Sequence, residues 1–176
     1  MFQQGDRTAE AAGRLTINPL AHIDPFGLLM VVMVGFGYAK PVPTDPRNFK
    51  SRYSSLWVAG AGPFMNLVVA FVSINVYLVL RTNGVHSEGA DIFFTLLAQI
   101  NLLLMLFNLI PLGPLDGHYM LPYFLPRSMA ISYHRLNMRY GTIALMGLIV
   151  ASIAGLPIFT YLLRLAEVLM NFIIIV

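Results

Sequence analysis

A chain of 176 residues that is 57% hydrophobic and 11% charged has too few polar side chains to coat a soluble globule, and its mean hydropathy of +0.72 places it in a membrane. With no cysteine, disulfides, zinc fingers and iron–sulfur sites are excluded, so any metal has to be held by His, Asp or Glu. A net charge of +3, with its Lys and Arg between apolar runs, reads as a topology signal rather than as a nucleic-acid surface.

The length predicts a single all-α membrane domain over 1–176, a polytopic transmembrane helix bundle. An N-terminal loop and interfacial segment would occupy 1–53, and about four transmembrane helices would fill 54–176. The start, MFQQGDRTAEAAGR, is polar and lacks the basic opening and apolar core of a signal peptide. Residues 14–24, RLTINPLAHID, mix β-branched residues with Asn-Pro, and Asp24 precedes Pro25, steps that favour extended backbone. Residues 26–34 form an apolar stretch stopped by Gly35 and Gly37, too short to span as a helix, so a short re-entrant or strand-like segment is expected there.

Residues 39–53 carry Lys40, Arg47, Lys50 and Arg52 against Asp45, which predicts a cytoplasmic link. The first span is expected at 56–80. A loop without basic surplus follows at 81–91, and a return span at 92–110 brings the chain back to the cytoplasmic side. Residues 112–140, with Arg127, Arg135 and Arg139, read as a second cytoplasmic loop. Two apolar runs close the chain, at 142–154 and 156–176, divided by Gly155 and Pro157. They read as a short helix then a full span, or as a hairpin, and Arg164 and Glu167 on one face of the last run could pair.

The return span ends in NLIPLGPLDGH, residues 108–118, where two prolines and two glycines surround a single carboxylate, Asp116. A charge near hydrocarbon costs about 2.5–3.5 kcal/mol even on the lenient insertion scale, which makes Asp116 a functional candidate. Pro-Leu-Asp-Gly is also good turn chemistry, and the local sequence leaves the two readings open. In AGAGPFMN, residues 59–66, small residues and Pro63 would admit a neighbouring backbone. Asn66 there is either part of a site or interhelical glue. Asn101 and Asn108, seven apart, share a face leading toward Asp116, so amides on two helices and a carboxylate would converge. The histidines His22, His86, His118 and His134 contain no i, i+4 pair, and by themselves complete no metal site.

GRLTINPLAHIDPFG, AKPVPTDPRNF, AGAGPFMN and NLIPLGPLDGH, in this order, resemble the site-2 protease family of intramembrane zinc metalloproteases, in its compact form without a PDZ domain. The resemblance runs over about two-thirds of the chain, residues 5–121. In that family an H-E-x-x-H helix supplies two zinc-binding histidines and the catalytic glutamate, and the L-D-G aspartate supplies the third ligand. The resemblance therefore implies Asp116 as a metal ligand. It implies Asn66, in G-P-x-x-N, and Asn108, in N-x-x-P-x-x-x-L-D-G, as support for substrate or transition state. It further implies zinc-assisted hydrolysis of peptide bonds in membrane protein substrate helices within the lipid bilayer, and no nucleic-acid partner.

One departure is large, because no H-E-x-x-H occurs in the 176 residues. The expectation is a truncated chain or a late start codon, with the general base upstream of Met1, so that the chain as written is inactive and retains no zinc alone. The alternatives are a non-catalytic binding or scaffold protein with a degenerate protease fold, and a partner that supplies the helix in trans. A small transporter is disfavoured by the lack of an internal repeat.

Overall fold

The computed structural model of the chain describes residues 51, 53–85 and 87–175, and the segment expected to be re-entrant or strand-like at 26–34 lies outside them. The chain divides into two compact units, Met1–Ser55 and Leu56–Val176. The described helices are α1 (Ser54–Thr82), α2 (Glu88–Asn108), the short α3 (Asp116–Met120) continued by a 3-10 turn (Leu121–Tyr123), α4 (Arg127–Ile153) and α5 (Ile158–Ile173). No strand occurs among the described residues, as an all-α bundle requires.

Three of these helices, α1, α2 and α4, with 29, 21 and 27 residues, are long and apolar enough to cross a membrane. Their surfaces are those of a lipid-facing bundle. Trp57 is 69% exposed and Phe172 79%, while Ser73, Asn75, His118 and Asn137 are buried. Lipid tails are as apolar as leucine, so such helices associate through close packing and interhelical hydrogen bonds. The core shows this directly: Ala70 of α1, Ala98 of α2 and Ala166 of α5 are fully buried and let the backbones approach, with Ile74, Leu102 and Met105 filling the space between.

The α1–α2 hairpin turns at Gly84, whose φ of 84° suits a residue without a Cβ. Ser87 caps α2 by accepting the Ala90 N–H at 3.2 Å. Tyr77 donates its hydroxyl to the Asp91 carboxylate, Arg81 stands 3.7 Å from the same oxygen, and the Tyr77 ring stacks on Phe94. The two spans agree with the runs expected at 56–80 and 92–110 to within a turn.

The second half differs from the sequence reading. Residues 127–140 were expected in a loop and are the first half of α4, which runs unbroken to Ile153. RSMAISYHRLNMRY contains neither Gly nor Pro, and Pro126 sits at the N-cap, so nothing interrupts the helix once begun. At about 40 Å, α4 exceeds the roughly 30 Å hydrocarbon layer. Its arginine-bearing first turns therefore have room outside the apolar layer.

The last run is shorter than the span expected at 156–176. Helix α5 has 16 residues, about 24 Å, and gives way to extended backbone at Ile174. Buried Asn75 explains where it stops. Its Nδ2 donates to the Ile173 carbonyl at 2.8 Å, and its Oδ1 accepts the Ile175 N–H at 2.9 Å, so one amide takes both backbone groups released by the helix end. Arg164 and Glu167, which could pair by their spacing, form no ion pair; both are exposed and point away from the core. Replacing Asn75 with Ala should therefore lower stability by about 1–3 kcal/mol, because two backbone groups lose their partner. Thermal unfolding followed by circular dichroism in detergent checks this, and an unchanged midpoint would remove Asn75 from that role.

Candidate functional site

The chain between α2 and α3 is a break in which several backbone groups must find partners outside a helix. Leu109 closes α2 by turning its N–H back to the Met105 and Phe107 carbonyls. Beyond it the chain folds over so tightly that a Cβ on Gly117 would lie 2.3 Å from the Leu109 carbonyl oxygen and 2.7 Å from that of Ile110. Only glycine fits, which gives the residue after Asp116 a steric reason. Gly113 adopts φ 59°, the left-handed region.

Asp116 opens α3, with Leu115 in extended conformation before it. Its carboxylate lies against α1 at Gly62: a Cβ there would stand 2.9 Å from Asp116 Oδ2. Gly60, two residues earlier, faces Met120 Cε in the same manner at 3.8 Å. The small residues of AGAGPFMN thus receive the L-D-G segment; the sequence reading expected a neighbouring backbone there without saying which. Pro63, buried beside them, has no N–H to give the Ala59 carbonyl. Asn66 follows Gly62 by four residues and so shares its helical face, one turn along. Neither the Asn66 nor the Asn108 amide hydrogen-bonds to any described residue. Asn108 is the last residue of α2, at the edge of the break, whereas Asn101 is spent on its own helix, donating to the Leu97 carbonyl at 2.8 Å.

Half-buried Asp116 has no hydrogen bond or ion pair among the described residues, and burial raises its carboxyl above the ordinary value. His118, two residues on, is directed elsewhere. It is 2% exposed, stacks at 5.5 Å on His134, and stands 3.4 Å through Nδ1 from the Tyr133 hydroxyl. Burial and then His134 hold its imidazole below the usual value, so it is neutral at physiological pH. The Tyr133 hydroxyl donates to the Pro111 carbonyl at 2.8 Å, which leaves His118 Nδ1 as the donor to the phenol oxygen. His22 and His86 lie outside the described residues.

Sequence reading missed the α4 face that meets this break. Buried Asn137 accepts the Gly113 N–H at 3.0 Å and donates to the Gly113 carbonyl at 3.1 Å, while Gly141 lies so close that a Cβ would be 2.9 Å from Gly113 N. Tyr133, Asn137 and Gly141 recur every fourth residue in a stretch without Gly or Pro before 141, and that spacing was the available signal.

No group of three His, Cys, Asp or Glu side chains among the described residues could hold a metal. Asp116 is a suitable donor in a cradle open to a further group, but the described residues alone do not make up a zinc ligand set.

The described residues thus form a helical membrane bundle with a glycine- and proline-broken loop whose carboxylate, Asp116, has no partner among them. Residues 75–154 match peptidase family M50. The chain is also 41% identical over 131 residues to a Bacillus subtilis (strain 168) protein named "Putative zinc metalloprotease YwhC", a match that covers 71% of this chain and 60% of that one. The chain belongs to the site-2 protease family, and is an integral membrane protein. It spans about 60% of the length of this curated relative. No solved structure matches it.

The raised Asp116 carboxyl has a consequence for stability. Between the ordinary carboxyl value and the raised one the native state holds more protons than the unfolded state, so stability falls as pH rises through that window and stays lowered above it. In zinc-free chain, Asp116→Asn should then raise the thermal midpoint at neutral pH, with the gain vanishing in acid below the ordinary carboxyl value. Equal midpoints at neutral pH would show that the carboxylate is solvated or partnered.

Proposed function

We propose that this chain is the membrane-embedded part of a zinc-dependent intramembrane protease, with Asp116 as one protein ligand to the metal. The observation that carries the reading is the Asp116 carboxylate lodged against Gly62, half-buried and without a partner among the described residues, inside the stretch that matches peptidase family M50. Burial at that position disfavours the bare carboxylate, so a proton or a cation there is stabilising. Zinc, when bound, supplies Lewis-acid activation of water for peptide hydrolysis. The remaining ligands and the general base come from an H-E-x-x-H helix, which these 176 residues do not contain.

Within this reading Asn66 and Asn108 have free amides at the margin of the site, fitted to hold an unwound substrate strand or to polarise its carbonyl. The substrates in this reading are helices of membrane proteins, which share the bilayer with these spans. The basic residues at 39–53 and along the first half of α4 support a cytoplasmic side for the Asp116 loop. The lack of H-E-x-x-H also favours a second reading, in which the same pocket binds a helix without cutting it.

Elemental analysis and a cleavage assay separate the two. The purified 176-residue chain should carry no stoichiometric zinc and cleave nothing. A longer version that includes an H-E-x-x-H helix should bind one zinc per chain and cleave a membrane peptide, and Asp116→Asn in it should abolish both. Zinc at one per chain in the short form, or full activity after Asp116→Asn, would overturn the assignment; zinc binding without cleavage of any membrane peptide would favour the second reading.

A further inference from the structure

The break that presents Asp116 is gripped by α4 as well as by α1. Three hydrogen bonds run from α4 side chains to loop backbone: Tyr133 to the Pro111 carbonyl, and Asn137 to both the N–H and the carbonyl of Gly113. Tyr133, Asn137 and Gly141 lie four apart, on one face of α4. Gly141 has no Cβ, and one built there would come within 2.2 Å of Asn137 Oδ1, so its absence lets the loop lie flat on the helix. Asn137 is 8% exposed, and its amide spends both functions on a single residue in the left-handed conformation. From Gly113 the chain reaches Asp116 through Pro114, whose ring fixes one torsion, and through Leu115, which turns its N–H back to the Leu112 carbonyl at 3.3 Å.

We propose that Asn137 is the positioning residue of this site: by clamping Gly113 from α4 it sets where the L-D-G segment delivers its carboxylate on α1. The proposal rests on the reading of Asp116 as the metal-binding carboxylate, and adds the side chain that keeps it in place. Asn137 touches neither Asp116 nor a substrate group. It acts through the backbone of residues 113–116, and a site of this kind loses function when its supporting contacts leave a ligand loose by about an ångström.

Because the chain has no native cysteine, the placement of Asp116 can be read without any activity. In the full chain in membranes, Gly62→Cys combined with Asp116→Cys should form an intramolecular disulfide on mild oxidation, scored by loss of maleimide-reactive thiols. Adding Asn137→Leu, of similar volume but without the amide, should slow cross-linking by about tenfold, since both Gly113 bonds are lost. Asn137→Asp retains the acceptor for the Gly113 N–H and should give an intermediate rate. If Asn137→Leu fails to fold, Asn137→Asp and Tyr133→Phe decide, with the thermal midpoint measured alongside.

Slowed cross-linking in a variant whose midpoint stays near the parent's supports a positioning role. A lowered midpoint with cross-linking at the parental rate makes Asn137 merely structural and overturns it, and so does a parent pair that does not cross-link. Retention of zinc by the longer Asp116→Asn protein would sink the metal reading and leave the cross-linking result standing, so the two failures are distinguishable.

Discussion

A chain that stops being helical beside hydrocarbon must find partners for its own peptide groups, and this requirement governs the region between α2 and α3. Water that would satisfy such groups in a soluble protein is scarce there, and each unsatisfied group costs several kcal/mol. The solution is a loop whose carbonyls and N–H groups are distributed among neighbours. Leu109 turns back on α2, Pro111 and Gly113 are taken by side chains of α4, and Gly117 fits beneath the Leu109 carbonyl. Among the described residues the Asp116 carboxylate then stands without a partner, as does the Asn108 amide at the edge of the break.

The glycines follow the same logic. Gly62, Gly117 and Gly141 each stand where a Cβ would strike atoms of the break, so α1, α3 and α4 close on it from three directions. The loop is irregular in backbone yet closely packed at these three glycines, so its course is held by its neighbours.

Much of this was legible in the sequence. The α1 and α2 spans follow from apolar length, and AGAGPFMN was readable as a place where a neighbouring backbone approaches, but not which backbone, since small residues also serve ordinary helix packing. The first half of α4 was not, for a physical reason. Three arginines in fourteen residues look like a loop to a hydropathy argument, yet charge does not break a helix; Gly and Pro do, and they are absent from 127–140. Misreading that stretch concealed Asn137 and Tyr133, whose importance depends on a contact with residues more than twenty positions away. The early end of α5 was hidden likewise, since it depends on Asn75, about one hundred positions distant in sequence.

Asn75 and Asn137 do the same job at two places, each spending both ends of one amide on the peptide groups of a distant segment. Such a contact reads main chain and is blind to side-chain identity. At the end of α5 the residues being held, Ile173 to Ile175, can drift among apolar types without loosening the grip, so natural variation there should be permissive while position 75 is intolerant. At the break the partner is Gly113, already fixed by its left-handed conformation, and both sides of the contact are constrained. The two asparagines should therefore tolerate change differently, Asn75 constrained alone and Asn137 constrained together with Gly113.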